Sequence, residues 1–387
     1  MRNDFPAHRH IRGFSLLELM ISIVIGMFSV LVIMQVLSST ATSRRVAVGG
    51  GDAQLNGVAG MRALQLDVEH AGLGLQSFNV SGCTLTYAIG GTSVTLPAMA
   101  PVVINPATSV IPAGDANTDT LLVSSGNSGS PSEGDATTVV TSTGSYVVTT
   151  PASFFVGDKV VVAPAARSSV CALQTAQVTG INGFTLAVSG GAASQPSGSI
   201  VFNLGSAPSV RAYAIRNGDL VVCDYLLNNC GSASLTSDST VWVPVASNIV
   251  SMRAQYARDT SGISGATSAM DGVADTFDQV TPGSSTDTTA IPMQCRWARV
   301  IGVRLAMVAR SQQFVRQSAT TPLPTLVAPV WSGSTVATNN PTALPINLSG
   351  LPNWQNYRYN TIQTMLPMRN AIWQGAQPTY QGGAGAC

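Results

Sequence analysis

The sequence predicts an α+β protein: a long N-terminal hydrophobic helix, transmembrane in its first part and forming a spine, followed by a β-rich antiparallel globular domain. Two observations carry that prediction. From Phe14 to Leu37 the chain reads FSLLELMISIVIGMFSVLVIMQVL, 24 residues with no proline and with Glu18 as the single ionisable side chain. Beyond it Ser, Thr, Gly, Val and Ala dominate, and the whole chain holds 37 Gly and 21 Pro, a composition that favours short strands and frequent turns.

The elements follow in order. Residues 1–13 form a short leader carrying Arg2, Arg9 and Arg12. Positive charge ahead of the span places the N-terminus in the cytoplasm and the remainder outside. The run 14–37 makes a helix of about 36 Å, enough to cross a hydrocarbon core of roughly 30 Å. The helical spine extends over 14–75. Gly49, Gly50 and Gly51 are expected to interrupt it as a hinge, since each glycine costs about 1 kcal/mol relative to alanine in a helix. Asp52 is expected to cap a second helical segment, whose stripe of Leu55, Ala59, Ala63 and Leu66 is predicted to dock on a sheet. Gly72 and Gly74 end that segment, and His70 near its end reads as a packed or partly exposed helix residue.

The domain 76–387 then reads as strands with loop insertions. TLTYAIGGTSVTL predicts a hairpin around Gly90-Gly91. Further strands are predicted in DTLLVSS, TTVVTST, SYVVTTP, DKVVVAP, TAQVTGI, FTLAVSG, SIVFNL, RAYAIRNGDLVVCDY, STVWVPV, NIVSMRAQYARD, RWARVIGVRLAMVAR and YRYNTIQT. Val250, Met252, Ala254 and Tyr256 alternate with Ser251, Arg253 and Gln255, as on a half-buried strand, and Val303, Leu305 and Met307 do likewise around Arg304 and Ala306. The proline-repeating stretch from Thr321 to Trp354 predicts an irregular surface excursion, because proline cannot donate to a sheet ladder.

Composition excludes several function classes. Only 10% of residues are charged and the net charge is +1, so there is no basic face for nucleic acid. General acid–base catalysis needs His or paired carboxylates; after loss of the leader His70 would be the one histidine left, and no G-x-S-x-G or G-K motif is present. The chain is therefore read as no enzyme, with no cofactor.

Six cysteines follow the span: Cys83, Cys171, Cys223, Cys230, Cys295 and Cys387. In an exported domain they are expected to pair, with 15 possible connectivities. Cys223 and Cys230, enclosing the short loop CDYLLNNC, are the favoured candidate pair. No metal site is expected. The weak alternative is an irregular calcium site built by Asp271, Asp275 and Asp278, in a stretch that lacks the ordered acidic spacing of a helix–loop–helix calcium loop.

Glu18 needs an explanation, because a carboxylate inside a bilayer costs at least ~2.5 kcal/mol. If the chain is cut after Gly13, Phe14 becomes a free amine, cationic near neutral pH, one helical turn from Glu18. The two charges could pair within one chain or between staggered chains. G-F-S-L-L-E-L at the head of an apolar helix resembles the type III prepilin signal of type IV pilins and type II secretion pseudopilins. That resemblance implies cleavage at Gly13-Phe14 by prepilin peptidase, N-methylation of Phe14 and a role for Glu18 in assembly.

Landmarks along the chain narrow the resemblance. MRALQLDVEHAGLG, FFVGDKVVVAP with Cys171 and Gln174, NIVSMRAQYARD, VIGVRLAMVARS and YRYNTIQTMLPMRNAIW look like those of the PilW family of minor type IV pilins. It implies a minor pilin that initiates or caps pilus assembly. Its partners would be other minor pilins, the major pilin, the inner-membrane assembly machinery and membrane lipid. Its location would be the inner membrane, single-pass, and then the pilus, from periplasm to cell surface. The alternatives are a J-like minor pseudopilin of type II secretion, which uses the same anchor, and, from another class, a membrane-anchored adhesin acting in cell adhesion.

Overall fold

The computed structural model describes residues 15–370 apart from 76, 78–79, 90–91, 128, 132, 140–141, 168–170, 193–194, 262–269 and 318–321. The chain divides after Gly51 into two compact units. Helix α1 runs over Leu16–His70, 55 residues. Gly49, Gly50 and Gly51, expected to break it, lie inside it, and Asp52 is an interior helical residue rather than a cap. Helix propagation adds a hydrogen bond for every residue fixed, so a helix already nucleated on both sides carries three glycines at about 1 kcal/mol each. The helix does stop before Gly72, whose φ of 82° is a left-handed terminator, and Gly72 N–H donates to Ser124 O at 2.9 Å.

Among the described residues the globular unit contains three sheets. The first has eight strands. Its hairpin Thr84–Ile89 and Thr92–Leu96 pairs antiparallel as predicted, with the turn itself outside the described residues. Thr84–Ile89 also runs parallel to Ala172–Asn182, starting from Thr84↔Ala172. Val140 and Thr141 of TTVVTST lie outside the described residues; Thr137, buried, makes an isolated bridge to Val148, and Val139 is exposed.

The second sheet orders five strands as Val243–Ala246, Asp219–Asp224, Ser209–Arg216, Leu121–Ser125 and Val102–Ile104. RAYAIRNGDLVVCDY, expected as one strand, is a hairpin turning at Asn217 (φ 53°) and Gly218 (φ 77°). Two consecutive positive φ angles make a type I′ turn, the use to which Asn-Gly is best suited.

The third sheet is antiparallel throughout, in the order Thr276–Asp278, Ile249–Arg258, Val300–Arg310, Tyr359–Pro367. RWARVIGVRLAMVAR splits into a short helix, Met293–Ala298, and the strand Val300–Arg310. Met252, Ala254, Tyr256, Val303, Leu305 and Met307 face the main core, as the alternation required. Val250 does not: a bulge between Ile249 and Ser251 turns it to the opposite face, where it packs with Ala306, Val308, Trp331, Ile346 and Leu348. The proline-rich excursion is therefore a strap covering the outer face of this sheet. Trp331 anchors it, donating its indole N–H to Leu344 O at 2.7 Å. Asn340, fully buried, accepts from Gln255 at 2.7 Å and from Arg304 at 3.1 Å.

The face by which α1 docks also differs from the expected stripe. Ala53, Met61, Leu64 and Val68 are buried, whereas Leu55 is 70% and Leu66 40% exposed. Glycine decides this. A Cβ at Gly57 would lie 2.1 Å from Ile362 Cδ1, and one at Gly60 3.1 Å from Ala246 Cβ and 3.4 Å from Leu220 Cδ2. The helix backbone comes closest to the sheets along the row of its smallest residues, and packing density there outweighs the larger apolar area of the leucine stripe.

Candidate functional site

Two regions carry the sequence-derived sites, and each is described separately. In the first, Gly13 and Phe14 lie outside the described residues. Ser15 precedes the first helical residue, and its carbonyl accepts from Leu19 N–H at 3.1 Å. Glu18 sits in the first turn of α1, where the unpaired N–H groups of a helix favour negative charge. Its side chain is exposed, and among the described residues no cation pairs with it.

The span Leu16–Ser38 buries none of its residues within the chain. A helix apolar on all sides needs lipid or other helices around it. Two of its hydroxyls are satisfied within the helix: that of Ser22 donates to Glu18 O at 2.7 Å and that of Ser29 to Ile25 O at 2.9 Å. Glu18 is the single ionisable side chain of the span. The arrangement can accept a cation on the helix side, and a free amine at residue 14 falls within one turn of it.

In the second region, Asp67 ties the C-terminal part of α1 to the five-stranded sheet. Arg211 Nη1 approaches its two carboxylate oxygens at 2.8 and 2.9 Å, and the Tyr213 hydroxyl donates to it as well. Burial first, and then the Asp67 carboxylate, push the Tyr213 hydroxyl well above its ordinary pKa; the hydrogen bond to Asp67 raises that of Arg211. The hydroxyl thus stays protonated and the guanidinium charged over the whole working pH range. Sequence reasoning missed this clasp, although Asp67 shares the helical row of Leu64 and Val68, a polar residue beside a buried stripe. The row Ala53, Gly57, Gly60, Leu64 and Val68, spaced by four and three, was the available signal for the docking face. Leu55, Val58 and Leu66 are left exposed.

The cysteines pair Cys83 with Cys171 and Cys223 with Cys230. The first bridge sits directly before Thr84↔Ala172, so it fixes the register of the parallel strands. The second closes the CDYLLNNC loop after the strand Asp219–Asp224. Cys295 is also disulfide-bonded, its partner lying outside the described residues, as does Cys387.

Asp271, Asp275 and Asp278 are occupied separately. Asp278 pairs with Arg258 at 2.7 Å, Asp275 accepts from Thr260 N–H at 2.7 Å, and Asp271 is exposed and caps Val273 N–H at 2.9 Å. Among the described residues no three His, Cys, Asp or Glu side chains are grouped to hold a metal ion. The carboxylates instead cinch a loop: Asp259, fully buried, accepts from Gly272 N–H at 2.8 Å and faces Arg299 at 3.8 Å.

The chain matches the family model of type IV pilus-assembly protein W over residues 215–370, and the prokaryotic N-terminal methylation motif over residues 8–34. No curated protein and no solved structure matches it. The second match covers the Gly13-Phe14 junction, Glu18 and most of the span. The first begins within the Asn217-Gly218 hairpin and takes in the four-stranded sheet and its strap. The chain is similar to PilW-type pilins over 215–370 and to prepilin-type N-termini over 8–34, and the two matches together support a type IV pilus-related, structural pilin-type protein.

Proposed function

We propose that this PilW-like pilin is a minor pilin of the type IV pilus, incorporated with other minor pilins to initiate or cap the filament. One observation carries the reading. A methylation motif, a carboxylate in the first helical turn and a span with none of its residues buried coincide at one end of a chain that also matches the pilus-assembly family. In this reading residues 1–13 are the leader, 14–75 the spine and 76–387 the β-rich domain.

The steps follow from charge and solvation. The leader, with its three arginines, holds the N-terminus in the cytoplasm while the chain sits in the inner membrane. Prepilin peptidase cuts Gly13-Phe14, and N-methylation leaves the new terminus cationic. That cation pairs with Glu18 of its own or a neighbouring chain. Pairing removes a carboxylate whose residence in lipid costs at least ~2.5 kcal/mol, so leaving the bilayer for a bundle of like helices becomes favourable. The span then joins the filament core with the major pilin, and the β-rich domain presents its surface to other minor pilins. A minor pseudopilin of type II secretion would use the same anchor; the match over 215–370 favours the pilus.

The test is intact-mass and N-terminal peptide mass spectrometry on protein taken from host membranes. A terminus at N-methylated Phe14 is the expected result. An uncut Met1 terminus in processing-competent cells, or a cut near Thr42, would refute the assembly reading. Loss of surface pili on deleting the gene, with secretion unchanged, is expected; the opposite pattern would assign the chain to the secretion machine.

A further inference from the structure

At one end of the four-stranded sheet lies an open pocket of about 300 Å³. Arg310, the last residue of the strand Val300–Arg310, enters it. Its backbone N–H donates to Asn248 O at 2.8 Å, and its guanidinium lies over the Tyr357 ring, Cζ 4.7 Å from the centroid. Position and orientation are thus fixed from two sides. Yet the buried Nε of Arg310 has no hydrogen-bond partner, and among the described residues no carboxylate lies within ion-pair distance. Arg216 and Arg253 also carry an unpartnered Nε, but their terminal nitrogens are answered, by Ala113 O and Pro112 O and by Asp119, as Arg258 is by Asp278 and Arg304 by Gln255 and Asn340. The nearby acids are committed elsewhere. Asp115 accepts from Asn217 N–H at 3.0 Å and Gly218 N–H at 2.8 Å, and Asp219 accepts from Asn248 N–H at 2.9 Å. A preorganised, partly desolvated guanidinium with an unanswered donor is a recognition group for a planar oxyanion.

The remaining wall selects the ligand further. Asn117 and Asn217 both line the pocket in the left-handed conformation, with φ of 60° and 53°, so two amides are held on rigid turns. Asn347, whose Oδ1 accepts from Ser349 N–H at 3.0 Å and from the Ser349 hydroxyl at 2.7 Å, adds a third amide that can donate, and Leu351 a partly buried apolar surface. Amides that donate and accept at once, beside an apolar patch, suit a ring of hydroxyls with a C–H face. The Asp115 carboxylate in the same wall opposes a dianionic phosphate more strongly than a singly charged carboxylate. Repulsion from Arg310 opposes a metal cation. The volume is at the low end of the usual small-ligand range of about 300–1,000 Å³, room for one sugar unit.

We infer that this pocket binds a carboxylate-bearing sugar, a uronic acid unit, with Arg310 holding the carboxylate and the three asparagines the hydroxyls. The inference stands apart from the assembly reading, since it concerns a surface pocket of the β-rich domain.

The experiment is microcalorimetry on the full-length protein in a non-glycosidic detergent. D-galacturonate is the probe, D-galactose the neutral control and acetate the bare-anion control. Galacturonate is expected to bind with a Kd on the order of 1 mM, with galactose and acetate each weaker by about 10-fold or more. Arg310→Gln should weaken galacturonate by at least about 10-fold. Asn347→Asp, which keeps the oxygen that accepts from Ser349 but removes the amide donor, should weaken it by about 3-fold or more without changing the melting curve, which separates recognition from folding. No heat from galacturonate at tens of millimolar, acetate binding as tightly as galacturonate, or undiminished binding by both variants would each overturn the assignment.

Discussion

Replacing Gly60 with leucine tests which face of α1 is docked. A Cβ there would meet Ala246 Cβ at 3.1 Å, Leu220 Cδ2 at 3.4 Å and the Met307 sulfur at 3.6 Å. Ala246 has no rotamer to change, and Leu220 and Met307 are fully buried, so the added carbons have nowhere to go. Overpacking a core costs about 1–3 kcal/mol, here toward the upper end. Leaving glycine behind returns about 1 kcal/mol of helix propensity. The net loss is about 2 kcal/mol. At the lower end of about 2–4 °C per kcal/mol, suitable for a large domain, Tm should fall by about 4 °C. The assay is near-UV circular dichroism of the full chain in detergent, with Leu55→Ala as the companion. Leu55 is 70% exposed, so that change should stay within about 0.5 kcal/mol. If Gly60→Leu melts like the wild type while Leu55→Ala lowers Tm, the leucine stripe is the docked face and the reasoning fails.

Four further outcomes are expected. Glu18→Ala should leave cleavage at Gly13-Phe14 largely intact but cut incorporation into pili, scored by immunoblot of sheared filaments; wild-type incorporation would remove the charge-pairing argument. Breaking Cys83–Cys171, 88 residues apart in sequence, should destabilise more than breaking Cys223–Cys230, seven apart. Chain entropy puts the two at about 4.6 and about 2.4 kcal/mol, and urea midpoints in the reverse order would contradict it. Trp331→Ala should cost about 3–5 kcal/mol locally and expose the strap to limited proteolysis near residues 322–358, whereas an unchanged digestion pattern would show that Asn340 holds the strap alone. The last concerns acid. Burial alone would raise the pKa of Asp135, but hydrogen bonds from the side chains and backbone of Thr149 and Thr150 leave it lowered overall. A depressed folded-state pKa contributes stability above the unfolded value that disappears as pH falls through the folded one. Asp135→Asn should therefore flatten the acid limb of the stability curve below the ordinary carboxylate range, and an unaltered limb would count against that role.

The candidate sites were legible to different depths. Glu18 and the span could be read directly, because a carboxylate in 24 apolar residues is a conflict between neighbours in sequence and lipid settles it without reference to the fold. The Cys223–Cys230 loop was legible for a similar reason: seven residues leave little freedom for closure. The Cys83–Cys171 bridge was not, since it depends on a parallel pairing between segments 88 residues apart. Nor was the pocket at Arg310, whose walls come from two distant turns, two strand ends and the strap.

What the sequence by itself determined was whatever local periodicity, charge and composition control: an apolar helix first, β structure after it, and a methylation motif that holds the lone carboxylate of the span. The tertiary structure alone decided the rest. It carried α1 through Gly49–Gly51, seated the helix on Gly57 and Gly60 instead of Leu55 and Leu66, and turned Val250 outward at a bulge. Helix propagation accounts for the first, and the physical reason is common to the other two. Hydrophobicity ranks residues by the area they can bury, but which face is buried depends on how closely two backbones approach, and that distance is set by small residues and bulges whose partners lie far away in the chain.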